Sequence, residues 1–178
     1  MKRFSLSIIS FLLILFFACN LHAEEAIYTE YEVKAAFLYN FTRFVEWPES
    51  ASLKNTFIIG VLGDDSFGAI LEQTINSKTV QGRNIVIQRF NDFERINSCD
   101  ILYIGHFSQF PLDQVLSHVS SPGILTIGDS NDFIQKGGMI HLYLLDNKLR
   151  FEINLKAAAH SGLKISSKLL SLATRVES

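Results

Sequence analysis

The sequence predicts an α/β sandwich of three layers, α/β/α, built on a mainly parallel sheet with a C-terminal antiparallel hairpin at one edge. Three observations predict it. Short runs of Ile, Val, Leu and Phe recur without polar alternation, the pattern of strands buried on both faces, as parallel strands are. Stretches with helical periodicity separate those runs, so successive strands are joined by right-handed crossovers. Near the end, two strand-like runs flank a two-residue turn, the mark of an antiparallel hairpin.

Ahead of the domain, Met1-Lys2-Arg3 leads into an apolar run from Phe4 to Ala18 interrupted only by serines. A charged start followed by about 7–15 apolar residues is a signal-peptide pattern, short of the roughly 18–20 that a spanning helix needs. Cleavage after Ala23 puts Leu21 and Ala23 at the recognition positions. Cys19 after Ala18 offers a second exit as a lipoprotein, which Phe16 and Phe17 fit poorly. The expectation is an exported, periplasmic protein with residues 1–23 as leader and 24–178 as one domain, large enough to bury a core without staples. The whole chain carries 16 Lys and Arg against 18 Asp and Glu, net −2, and losing Lys2 and Arg3 with the leader makes this −4. That balance argues against a nucleic-acid partner. Once Cys19 is gone only Cys99 remains, so no internal disulfide can form; it reads as a small buried hydrophobe, the alternative being a reactive or intermolecular thiol.

The first element of the domain is an amphipathic helix from Thr29 to Glu46, where Val33, Ala36, Phe37, Phe41, Phe44 and Val45 recur at three- and four-residue spacing. Pro48 blocks its continuation past Trp47. Asn40 lies on the apolar stripe and either caps a backbone group or touches a ligand. Thr56 to Leu62 reads as a strand, Phe67 to Ile75 as a helix, Asn84 to Phe90 and Asp100 to Gly105 as strands, Leu112 to Val119 as a helix and Ile124 to Ile127 as a strand. Met139 to Leu145 and Lys148 to Asn154 make the hairpin about Asp146-Asn147. Leu155 to His160 is a helix stopped by Gly162, and Ser166 to Val176 reads as another, capped by Ser166 or Ser167 and buried through Leu169, Leu170, Leu172 and Ala173.

Chemistry is thinly signalled. The loop Gly63-Asp64-Asp65-Ser66-Phe67-Gly68 follows a strand end, where open α/β sheets take ligands, but its two carboxylates repel phosphate and it reads more simply as a capping turn. A receiver-domain role for paired acids there fails on compartment, since the phosphodonor is cytosolic. His106, His118, His141 and His160 show no metal-ligand spacing, and no Gly-x-Ser-x-Gly elbow occurs. No cofactor and no catalytic residue is assigned, although Asp64, Asp65, Asp129 and Glu152 could meet in space. A small-molecule site, if present, uses Asp64, His106 and Asp129 at the strand ends beside Gly63. Arg150 and Glu152 alternate with Phe151 and Ile153, so with Asn154 they share one face of the last hairpin strand, either a recognition face or a solvated one holding a weak ion pair. Glu46 and Trp47 close the first helix as an interface candidate, with Trp47 equally suited to the core. Gly137-Gly138 permits positive φ and tight packing.

Several segments in order resemble the YfiR family: residues 31–41 with Val45-Glu46-Trp47-Pro48, then Val61-Leu62-Gly63-Asp64, Gly82-Arg83, Ser98-Cys99-Asp100-Ile101-Leu102, Ile124-Leu125-Thr126, Gly137-Gly138-Met139-Ile140, Arg150-Phe151-Glu152-Ile153-Asn154 and Ser161-Gly162-Leu163 with residues 166–170. The resemblance implies a periplasmic, often dimeric regulator that binds the sensor region of a membrane diguanylate cyclase of the YfiN type and holds cyclic di-GMP synthesis down, itself sequestered by an outer-membrane lipoprotein of the YfiB type. Related domains resemble sensor modules of histidine kinases, so a sensing role acting on such a protein is the alternative. The resemblance also implies a disulfide from the first strand to the position of Cys99, yet the partner position here is Gly60. A second cysteine pair is replaced by the neighbourhood of Phe133, Ile134 and Ile140, so redox control is not expected.

Overall fold

The structure, a computed structural model, describes residues 30–49, 54–63, 66–106 and 109–178. The expected leader with Cys19, and Asp64 and Asp65 after the first strand, lie outside the described residues. Helix α1 covers residues 30–41. After it come β1 (Val45–Glu46), β2 (Thr56–Leu62), α2 (Ile70–Ile75), β3 (Thr79–Val80), β4 (Arg83–Phe90), β5 (Ile101–Ile104), α3 (Leu112–His118) and β6 (Leu125–Gly128). The chain finishes with β7 (Ile140–Leu145), β8 (Lys148–Asn154), α4 (Leu155–His160), β9 (Lys164–Ile165), α5 (Ser167–Leu170) and β10 (Arg175–Glu177).

Eight of these strands form one mixed sheet in the order β10-β8-β7-β6-β5-β2-β4-β3. Its centre is parallel. Strand β2 lies between β4 and β5, with Ile59 in register with Ile87 on one side and Ile101 on the other, and β6 and β7 continue outward from β5. Strands β7 and β8 are antiparallel, joined through Asp146 (φ +51°) and Asn147 (φ +55°), the left-handed pair that a two-residue hairpin turn requires. The expected α/β architecture with its hairpin toward one side is therefore what the chain forms.

Alternation along the strands divides the core between the two faces of the sheet. One cluster joins Phe57, Ile59, Tyr103, Ile127 and Phe151 of the strands to Leu38 and Phe41 of α1, Leu71 of α2, Ala158 of α4 and Leu169 of α5. The other joins Leu62, Leu102 and Ile104 to Leu112 and Val115 of α3 and to Phe133. Phe133 shows why glycines flank it. A Cβ on Gly128 or on Gly138 would come within 2.2 Å of its ring, so the ring is clamped between two backbones.

Three expectations need correction. Helix α1 ends at residue 41, not at Glu46; residues 45 and 46 instead pair antiparallel with β9 as a separate two-stranded ribbon. The short strand β3, absent from the sequence reading, turns back through Gln81 (φ +51°) and Gly82 (φ +79°) to pair with β4. The last expected helix, Ser166 to Val176, survives only as α5. Ser166 caps it as expected, its Oγ accepting from Leu169 N at 3.3 Å. Thr174 then intervenes: its backbone N–H and its Oγ1 both donate to the Phe151 carbonyl at 2.9 Å. That double attachment lays residues 175–177 along β8 as a parallel strand, tertiary pairing overriding helical periodicity.

Where β2 passes the approach to β5, Gly60 faces Cys99. A Cβ on Gly60 would stand 3.2 Å from Cys99 Sγ and 3.3 Å from its Cβ, so residue 60 abuts the thiol. The ring of Phe90, whose Cε2 would lie 2.6 Å from the same added atom, fills the space.

Candidate functional site

The carboxyl end of α1, strand β8 and α5 enclose a groove of about 410 Å3. Its floor is aromatic: Phe37, Phe41 and Phe151 meet edge to face, with centroids 5.4–6.0 Å apart. Leu149, Leu169 and Leu172 extend the apolar surface, and Leu172 is 61% exposed. Leu144 and Leu145 at the hairpin tip are about half exposed. Exposed apolar side chains of this size can mark a contact surface. The rim is cationic. Arg43 and Arg150 line the groove, and the Lys168 ammonium sits 5.7 Å from the centroid of Phe44. Asn40 also lines the groove.

Of the residues singled out as partner-binding candidates, Arg150 and Glu46 are exposed. Arg150 reaches the groove because β10 pairs with β8 only from Glu152 to Asn154. Trp47 is 7% exposed and belongs to the core: its Nε1 donates to the Asp100 carbonyl at 3.3 Å and its ring meets Phe57 edge to face. Glu152 is half-buried, with Oε2 lying 3.7 Å from His141 Nδ1 on the adjacent strand. Asn154 is buried and caps α4, its Oδ1 accepting from Ala157 N at 2.9 Å. The cap gives this residue a reason to be asparagine that does not require a partner.

The ligand-edge candidates do not form one shown set. Asp64 lies outside the described residues, and His106 is exposed. Asp129 is engaged inside the fold: Oδ2 accepts from Lys34 Nζ at 2.7 Å and from Tyr103 Oη at 2.8 Å. Lys34, itself buried, also pairs with Glu30 one helical turn earlier at 2.7 Å. Burial alone would lower the Lys34 ammonium, but Asp129 and Glu30 outweigh it and hold the group above its ordinary value. Burial, and then the charge of Asp129, drive the Tyr103 phenol far above its usual range, so it remains a donor. This constellation docks α1 onto the ends of β5 and β6.

A second buried charge cluster serves the opposite end of the sheet. Asp100, fully buried, accepts from Ile58 N at 2.8 Å and from Arg83 at 3.4 Å, while the Arg83 guanidinium lies 4.9 Å from the centroid of Phe57. Trp47, Gly82-Arg83 and Cys99-Asp100, three of the segments that carried the resemblance, thus converge on one place. Their shared role is architectural, since they join β1, β2, β4 and β5.

The YfiR/HmsC-like family profile matches residues 31–174. Among solved structures, a conserved domain protein from Vibrio cholerae O1 biovar El Tor strain N16961 aligns at 14% identity with a TM-score of 0.49, over 70% of this chain and 56% of that one. The ABC domain in complex with L-Trp from Streptococcus pneumonia aligns at 15% identity with a TM-score of 0.46, over 68% of this chain and 55% of that one. The chain spans little more than half the length of either.

Proposed function

This chain belongs to the YfiR/HmsC-like family, a family of regulators of cyclic di-GMP signalling, and we propose that it is a periplasmic binding protein that represses a membrane diguanylate cyclase of the YfiN type by contact. The observation that carries this reading is the extent of the family match, from α1 to the doorstep of β10, which covers all the parts of the groove. The groove is the proposed contact face: an apolar, aromatic centre with a cationic rim of Arg43, Arg150 and Lys168 suits a partner segment with apolar anchors and acidic flanks. Exposed Glu46 would lie outside that centre, and Trp47 and Asn154 would take no direct part in that contact. A homodimer, and sequestration by an outer-membrane lipoprotein of the YfiB type, belong to the same proposal, in which the chain works by binding and not by chemistry.

The test is genetic and biochemical. Deleting the gene should raise cyclic di-GMP, and the protein should recover a membrane cyclase from detergent extracts, with Leu172→Asp and Arg150→Glu losing the cyclase at unchanged melting temperature. Unchanged cyclic di-GMP in the deletion strain would overturn the proposal.

The sheet order supports a second reading, a small-molecule sensing domain acting on another membrane signalling protein such as a histidine kinase. The connection from β2 runs to β4 on one side while that from β5 runs to β6 on the other, so a ligand crevice would open between the carboxyl ends of β2 and β5, beside Gly63 and His106. Thermal-shift screening would separate the readings, because a partner-only protein gains no stability from small solutes.

A further inference from the structure

A cleft of about 510 Å3 opens between the carboxyl end of α3, the turn at 120–122 and helix α4, within the size range of small-molecule sites. It lies where β6 begins and β8 finishes, the opposite end of the sheet from Gly63 and His106. Leu116, Val119, Pro122 and Met139 give its lining apolar surface. Asn154, Lys156 and His160 also line it. Lys156 and His160 stand one helical turn apart on α4 and so share a face. Among the described residues neither has a hydrogen-bond or ion-pair partner. The acid among the lining residues, Glu177, pairs with Arg175 at 3.5 Å, whereas Lys156 has no such partner among the described residues.

Asn154 adds an independent pointer. It is only 8% exposed, and its Oδ1 is held by the α4 cap, so the donors left to face the cleft are those of Nδ2, which have no partner among the described residues. Amide donors of a largely buried side chain, open to the cleft beside an unpaired ammonium, suit an anionic oxygen. We propose that this cleft binds a small organic anion, its carboxylate or phosphate held by Lys156, His160 and Asn154 Nδ2 and its apolar body lying against Leu116, Val119, Pro122 and Met139. The site is separate from the groove and stands whether or not the regulatory reading holds.

The experiment is a titration of 15N-labelled protein with benzoate and with phenyl phosphate, with benzyl alcohol as the uncharged counterpart, followed at the Asn154 side-chain amide and, in every variant, at the backbone amides of residues 156 and 157. Saturable shifts are expected with at least one anion, and the stronger of the two tells whether carboxylate or phosphate is preferred. Benzyl alcohol and the Lys156→Gln variant should each weaken binding about tenfold or more, the scale of a charged hydrogen bond. Asn154→Asp retains the oxygen that caps α4 but replaces the amide donors with a negative charge, and should abolish binding while the spectrum stays folded. Absence of saturable shifts with both anions, benzyl alcohol binding as tightly as benzoate, or undiminished binding by Lys156→Gln would each overturn the proposal.

Discussion

Lys34 on the first helix closes a 2.7 Å ion pair with Asp129, 95 residues further along the chain at the end of β6. Both groups are largely withdrawn from water, and the carboxylate also accepts from Tyr103. Removing one partner strands the other charge in a poorly solvated site. Lys34→Met is therefore expected to destabilise the fold by about 3 kcal/mol in urea denaturation. The double variant with Asp129→Asn should cost clearly less than the sum of the two singles. Strict additivity would mean that the pair does not hold α1 to the sheet.

Cys99 should be chemically inert in the native protein. It is 1% exposed, its Sγ lies 2.9 Å from the Ile96 carbonyl, and burial, followed by the Asp100 charge, pushes the thiol up to about 12. At a pH of about 8 almost no thiolate is present to attack a reagent. Mass spectrometry after iodoacetamide treatment should find the Cys99 peptide unlabelled until denaturant is added. Rapid labelling of the folded protein would contradict the packing described.

His141 gives stability a dependence on pH. It is 6% exposed, and burial depresses its imidazole against the opposing pull of Glu152, Asp129 and Asp132. The unfolded chain, with histidine near about 6.5, then binds the proton more readily than the folded one. The contribution of this group is complete above that value and is lost as pH falls through the lower folded-state value. Denaturation midpoints should fall between about pH 7.5 and 5, and His141→Gln should flatten that part of the curve. Parallel curves for the two proteins would assign the slope to other groups.

Gly128→Ala should be costly. Its new methyl would stand 2.2 Å from Phe133 Cε2, in a place where the ring is trapped between two backbones. Overpacking of this kind typically costs about 1–3 kcal/mol. Phe133→Leu in the same chain should recover part of the loss, which thermal unfolding of the three variants would show.

The sequence disclosed the sheet far better than the surface features. Residues 57–62 and Ile101–Ile104 carry no polar side chain that breaks the run except the Tyr103 hydroxyl, because both faces are covered, and the Asp146-Asn147 turn dictates its hairpin almost alone. The terminal strand was hidden because residues 166–176 keep a helical spacing of Leu and Ala, while the deciding contact, Thr174 to Phe151, spans 23 residues. The candidate sites were hidden for a similar reason. Arg150 could be picked from alternation, and Asn40 from its place on the apolar stripe, but nothing local announces that Phe37, Leu149 and Leu172 come together. The anion cleft was less visible still. Lys156 and His160 share an ordinary helix face, and only the folded chain brings Leu116, Val119 and Met139 into one cleft with them.

The position of β2 between β4 and β5 has a kinetic consequence. The two pairings that zip locally, β3 with β4 and β7 with β8, form toward opposite margins of the sheet, whereas its middle is assembled from segments that must first find each other across crossovers. Hairpins close in microseconds, but long loops must be ordered before such a middle rewards the search. The rate-limiting event is therefore expected to be the meeting of the central strands, with the quick margins waiting for it.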